Sequence, residues 1–153
     1  MKKLVLTVVA TLALAVPVAF AADHGGHDMG RDAKIGGAAH EEVIDGVKAA
    51  FTVKTMKEAM KAMGMEMPKG VKETHHISLA IKDVKTGREL TQGEVKVKVQ
   101  GPDKVEQTKD MMEMHGHFGA DFVMAVKGKY GVMCKFRTPD GKVRQARFWY
   151  TVK

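Results

Sequence analysis

The chain has 153 residues, 44% of them hydrophobic and 28% charged, which fits one globular domain and excludes a mainly disordered chain or a polytopic membrane protein. A single cysteine, Cys134, excludes an internal disulfide and any CxxC-type zinc or redox motif. The formal charge of +7 falls to +5 once Lys2 and Lys3 are removed, and the rest is spread along strands and turns, as in Lys96-Val97-Lys98. No block of like charges or aromatic ladder accompanies it, so nucleic acid is not the expected partner.

Residues 1–21 read as a secretory signal. Lys2 and Lys3 form the positive start, Leu4 to Ala15 is an uncharged apolar core, Pro17 breaks it, and Ala19-Phe20-Ala21 is a small-x-small cleavage site. An uncleaved anchor would need about the same length of apolar chain, but Pro17 and the cleavage site favour removal. The mature protein is expected to start at Ala22, in a periplasm and without a stable membrane anchor. Residues 22–41 are rich in Gly, His and Asp and poor in large apolar groups, the composition of a flexible tail. The folded domain is expected over 42–153.

From there the hydrophobic period is mostly two. Val43 to Lys54 places Val47, Ala49, Phe51 and Val53 on one face. His75, Ile77, Leu79 and Ile81 share another, as do Val95, Val97 and Val99. Further on come Phe118 to Val126, then Tyr130, Val132, Cys134 and Phe136, then Ala146, Phe148, Tyr150 and Val152. Turn chemistry separates them at Lys85-Thr86-Gly87, Gly101-Pro102-Asp103, Lys127-Gly128-Lys129 and Pro139-Asp140-Gly141. With a weaker strand near 104–110, this predicts an all-β fold: an antiparallel immunoglobulin-like or cupredoxin-like β-sandwich of about seven strands.

One segment breaks the period. Thr55-Met56-Lys57-Glu58 has capping-box spacing, and Met56, Met60, Met63 and Met67 recur at helical steps. Gly64 and Pro68 end the pattern, so a short Met-rich helix is expected between the first two strands, followed by an extended Met65-Glu66-Met67-Pro68.

Methionine is the outlier of the composition, with 12 residues alongside 7 histidines. Thioethers favour Cu(I), and imidazole suits copper in either oxidation state. Four groups of residues carry that chemistry. Ala22-Asp23-His24 at a free N-terminus offers four nitrogens in one plane for Cu(II), with His27 and Met29 nearby. Met56 to Met67 holds five methionines; Met56 and Met60 read as core, Met65 and Met67 as loop ligands. Met111-Met112-Glu113-Met114-His115-Gly116-His117 is the densest cluster. On one continuous strand its parity sends Met112 and Met114 inward and His115 and His117 outward, unless a bulge at Gly116 intervenes. Finally His75-His76 opens a strand, His75 with core parity and His76 on the other face. Cys134 reads as a buried small hydrophobe, without the downstream His and Met of a blue-copper site. No phosphate loop, GxSxG or HExxH motif is present, and the chain is read as a non-enzyme.

Residues 74–153 resemble the exported immunoglobulin-like domains of the YtkA-like class. The resemblance rests on His75-His76-Ile77-Ser78-Leu79, Asp83-Val84-Lys85-Thr86-Gly87, Gly93-Glu94-Val95-Lys96-Val97, Met111–Met114 and Gly128-Lys129-Tyr130-Gly131-Val132. His117-Phe118-Gly119-Ala120-Asp121-Phe122 is similar to a stretch of periplasmic copper-binding accessory proteins of iron uptake. The resemblance implies a cupredoxin-like sandwich and copper handling. The expected function is therefore a periplasmic protein that buffers or delivers Cu(I), with Cu(II) as a further candidate at its tail and a periplasmic or membrane metal-transfer protein as partner. His115, His117, Met112 and Met114 are its expected primary ligands, with His75, His76, Met65, Met67 and His24 as further candidates. A non-catalytic adaptor, or an iron-uptake accessory using Glu113 or Asp121, is the alternative.

Overall fold

The computed structural model describes residues 38–153. The signal, most of the tail and His24 therefore lie outside the described residues. Eight antiparallel strands and one short helix follow in chain order. They are β1 (His40–Ile44), β2 (Val47–Thr55), α1 (Met56–Ala62), β3 (His75–Asp83), β4 (Glu94–Gln100), β5 (Glu106–Met114), β6 (His117–Phe122), β7 (Gly128–Arg137) and β8 (Val143–Val152).

The strands hydrogen-bond in the order β1-β2-β3-β6-β5-β4-β7-β8. β5 turns this ladder into a sandwich. Its first part, Glu106–Met111, pairs with β4, and its last part, Met112–Met114, pairs with β6. One strand thus belongs to both layers. The two ends of the ladder then approach each other: Phe148 of β8 packs 5.0 Å from Phe51 of β2, and His40 of β1 stacks on Phe148 at 5.1 Å. The result is a β-sandwich nearly closed into a barrel.

The period-two faces become the core. Val47, Ala49, Phe51, Ile77, Leu79, Ile81, Val95, Val97, Val99, Val132, Cys134 and Phe136 are buried between the layers. Each large side chain among them contributes about 1.5–3 kcal/mol relative to exposure. Burial also pushes the Cys134 thiol up to about 12, so it is an inert thiol in the core.

Three boundaries differ from the sequence reading. Val43 to Lys54 is not one strand: Asp45 and Gly46, with φ of 45° and 75°, make a two-residue turn that folds β1 back on β2. This adds the eighth strand and starts the sheet at His40. The helix consequently follows the second strand rather than the first. The strand expected to run to Val126 ends at Phe122, and Val126 is exposed.

A buried arginine fastens the seam. Arg144 of β8 donates to the carbonyls of Ile44 and Asp45 at 3.1 and 2.9 Å, and to the Asp140 carboxylate at 2.8 Å. Thr138 accepts from the same guanidinium. These bonds hold the Asp140 carboxyl well below the usual carboxylate range.

The helix forms where the sequence places its caps. The Thr55 hydroxyl accepts from the Glu58 amide, and the Glu58 carboxylate accepts from the Thr55 amide, a complete capping box. Met56 and Ala59 bury its inner face. At the other end Met65 N–H reaches Met60 O at 2.9 Å and Gly64 N–H reaches Lys61 O at 3.1 Å. Gly64, at φ 67°, supplies the left-handed residue this closure requires.

Candidate metal centre

The outer face of β2 and β3 carries small side chains: Ala50 and Thr52, then Ser78 and Ala80. Register pairs Thr52 with Ser78 and Ala50 with Ala80, so these residues form one continuous shallow floor. Gly119 of β6 extends it beside Ser78. Helix α1 covers one side and the β5–β6 turn the other. Between them lies a cleft of about 410 Å³.

His76, Met114, His115 and His117 all line this cleft, with Met63 and Glu89. The β5–β6 turn explains the arrangement. His115 and Gly116 both have positive φ, at 50° and 88°, which makes a two-residue hairpin turn. Such a turn pairs the residues on either side of it, here Met114 with His117. Paired residues share a face. Met112, paired with Gly119, lies on that same face. The expectation that Met112 and Met114 face inward is therefore incorrect, whereas His115 and His117 do lie outside the core. The turn interrupts the single alternation on which it rested, and Met111, not Met112 or Met114, is the buried methionine of β5. His115 sits in the turn itself and is exposed.

His76 is the residue best held for coordination. It is paired with Asp121, and its Nδ1 lies 2.6 Å from Asp121 Oδ1. A carboxylate only accepts, so Nδ1 carries the proton and, in the neutral ring, Nε2 keeps its lone pair. Lys109 Nζ donates to the Asp121 carbonyl at 2.6 Å and steadies that residue. The His76 ring is 15% exposed. Its Nε2 lies 2.8 Å, and the Met114 sulfur 3.0 Å, from the position that a Cβ would take on Gly119. A nitrogen donor and a sulfur donor thus crowd the same small volume, which exists because position 119 has no side chain. Across the turn, burial and the neighbouring His76 hold His117 below the ordinary histidine pKa, which favours the neutral, ligating form near pH 7.

The other candidates lie elsewhere. His75 points into the core, with Nδ1 2.9 Å from Thr74 Oγ1 and its ring edge-on to Tyr150. It is separated from His76 by the thickness of the sheet. Met65 and Met67 are exposed and do not line the cleft. Glu113 is occupied in accepting from Gly116 N–H at 3.0 Å. A larger recess, of about 590 Å³ beside Gly93 and Lys135, has no imidazole in its lining. Among the described residues no three His, Cys, Asp or Glu side chains gather as a metal cage, so the donors that do converge are imidazole with thioether.

No protein-family profile and no curated protein matches the chain, so the YtkA-like resemblance has no support from those comparisons. Solved structures do match. The fold is shared with FetP and P19. FetP of uropathogenic Escherichia coli, recombinantly expressed in the periplasm, is 17% identical with a TM-score of 0.59, covering 75% of this chain and 93% of that one. A copper-bound variant of the same FetP is 15% identical with a TM-score of 0.59, over 77% and 91% of the two chains. A copper-bound variant of P19 from Campylobacter jejuni is 14% identical with a TM-score of 0.58, over 78% and 97%.

Three residues in or beside the cleft have roles that the sequence reading misses. Asp121, which the sequence offers only as an iron ligand, orients His76. Gly119 supplies the space. Glu89 arrives from the loop after β3, with its carboxylate near Gly116. The one local signal was the spacing His117-x-Gly119-x-Asp121, which places all three on one strand face.

Proposed function

We propose that this is a periplasmic protein that binds copper as cargo, holding Cu(I) between His76 Nε2, the Met114 thioether and His117, and buffering it or delivering it to another protein. The observation that carries this reading is the convergence of His76 and Met114 over Gly119, with His76 oriented by Asp121. Soft sulfur with imidazole selects copper over hard cations. A carboxylate on the remote ring nitrogen is the usual support of a ligating histidine. FetP and P19, which share the fold, have copper-bound structures. A secretory signal supports the periplasmic location, and no helix among the described residues is long and apolar enough to cross a membrane. His115 at the mouth and Met112 beside Gly119 are outer ligands of the same site. Cu(II) at Ala22-Asp23-His24 is a separate proposal for the tail.

The test is an anaerobic Cu(I) titration of the exported chain against a chromophoric chelator, with His76→Ala/Met114→Leu and His115→Ala beside it. The double variant should lose the tightest equivalent and His115→Ala should keep it. Equal competition by all three proteins would put the copper outside the cleft, and failure of the parent protein to compete would move the reading to the adaptor alternative, in which the exposed methionines bind a protein partner.

A further inference from the structure

The methionines of this domain range from buried to exposed, with Met60, Met114 and Met133 half-buried and Met112 exposed. Met56, Met111 and Met124 are 3%, 6% and 0% exposed and pack as core. Met63, Met65 and Met67 are 53%, 56% and 43% exposed, three within five residues. Burying one such side chain contributes about 1.5–3 kcal/mol, and none of these three gains it in full. Packing therefore does not account for them.

They are also presented in a fixed way. The paired hydrogen bonds that close α1, from Met65 N–H to Met60 O and from Gly64 N–H to Lys61 O, lock the backbone over 63–65. The left-handed Gly64 turns the chain so that Met63 stays on the cleft side and lines it, while Met65 and Met67 continue outside. Met63 thus lines the same cleft as the donors His76, Met114 and His117, and is two residues from Met65 in the chain.

We propose that Met63, Met65 and Met67 form a second Cu(I) site, made of thioethers alone, that captures copper at the surface and loads the cleft. The site itself stands on its own observations; the loading step rests on the cleft reading above. Thioethers are neutral and carry no proton, so capture releases none and leaves copper as Cu(I). Transfer is ligand exchange. Each Cu–S bond to the rim is replaced by a bond to the Met114 sulfur or to an imidazole nitrogen, and Met63, which lines the cleft, is the last rim ligand to leave. Imidazole is the stronger donor, so exchange runs inward.

The experiment uses the exported chain with methionine methyl groups labelled with carbon-13, titrated with Ag(I) as an air-stable ion of the same charge and filled d shell. Met63→Leu/Met65→Leu/Met67→Leu and His76→Ala/Met114→Leu are the variants. Leucine is a good helix former, and far-UV circular dichroism checks the fold. The tail donors His24, His27 and Met29 are common to all arms. In the parent protein the methyls of Met63, Met65 and Met67 should shift. They should still shift in His76→Ala/Met114→Leu. The triple variant should take up one equivalent fewer. Its rate of Cu(I) uptake from a chelator should fall about ten-fold, since the local reservoir is gone. Unmoved methyls at all three positions, or a triple variant with unchanged stoichiometry and unchanged uptake, overturns the proposal. Shifting rim methyls together with an undiminished first equivalent in His76→Ala/Met114→Leu supports the rim while removing the cleft reading, so the two fail separately.

Discussion

Asp121 holds His76 by Nδ1 at 2.6 Å, across the β3–β6 pairing and 45 residues apart in sequence. That contact decides which ring nitrogen is free and where it points. Nε2 faces the space over Gly119 that the Met114 sulfur also approaches. Removing the carboxylate leaves every proposed ligand present but lets the ring rotate. Asp121→Ala should weaken Cu(I) binding about 10- to 100-fold, the usual effect of losing such a partner. Asp121→Asn, whose carbonyl still accepts, should restore part of it. Chelator competition reads both, and an unchanged Asp121→Ala affinity would remove His76 from the site.

Gly119 is the most economical place to close the site without touching a donor. Its φ is not in the left-handed region, so alanine is compatible with the backbone. Its Cβ would, however, fall 2.8 Å from the His76 ring and 3.0 Å from the Met114 sulfur. Both are ends of movable side chains, so the fold yields there rather than breaks. Gly119→Ala should lower copper affinity at least about ten-fold while shifting the thermal midpoint by no more than about 4 °C. A large loss of stability with intact affinity would contradict this assignment.

Arg144 joins β8 to the β1–β2 turn through two backbone carbonyls and also holds Asp140 and Thr138. Its side chain is 1% exposed. Arg144→Ala would strand those acceptors and leave a void at the seam. The expected cost is about 3 kcal/mol, measured by urea unfolding, with no change in copper affinity. Arg144→Lys should recover little, because an ammonium cannot span the same acceptors.

Protons should destabilise the domain in a defined window. Burial lowers the pKa of His75, against a smaller opposing effect from Glu58, and burial with the His76 charge lowers that of His117. The folded state therefore binds fewer protons than the unfolded chain, whose histidines titrate near ~6.5. Stability is full above that value and declines as pH falls below it. The urea midpoint should drop between pH 7.5 and 5.5, and less so in His117→Gln. Glu58, Glu73, Asp83 and Asp140 are shifted down by their hydrogen bonds, so their contribution persists until pH falls through those lower values. A midpoint that stays level from pH 7.5 to 5.5 would count against the histidine assignment.

Local sequence patterns mark most of the strands, the capped helix and the residue types that can act as donors. Alternation of Val95, Val97 and Val99 or of Ile77, Leu79 and Ile81 is a local signal, because a half-buried strand has period two whatever lies across from it. Thr55 with Glu58 is equally local, since a capping box closes within one turn. The same locality separated His75 from His76 on opposite faces. It failed where a turn intervened. Alternation alone runs straight through Asp45-Gly46 and His115-Gly116, where two left-handed residues in fact reverse the chain, the second pair bringing Met114 and His117 to one face. Tertiary structure alone decided the rest. Asp121 meets His76, and Met63 reaches the cleft, only because β3 pairs with β6 and α1 folds over the sheet. Pairings between distant strands are set by the best burial of both faces at once, which no short window of the chain contains.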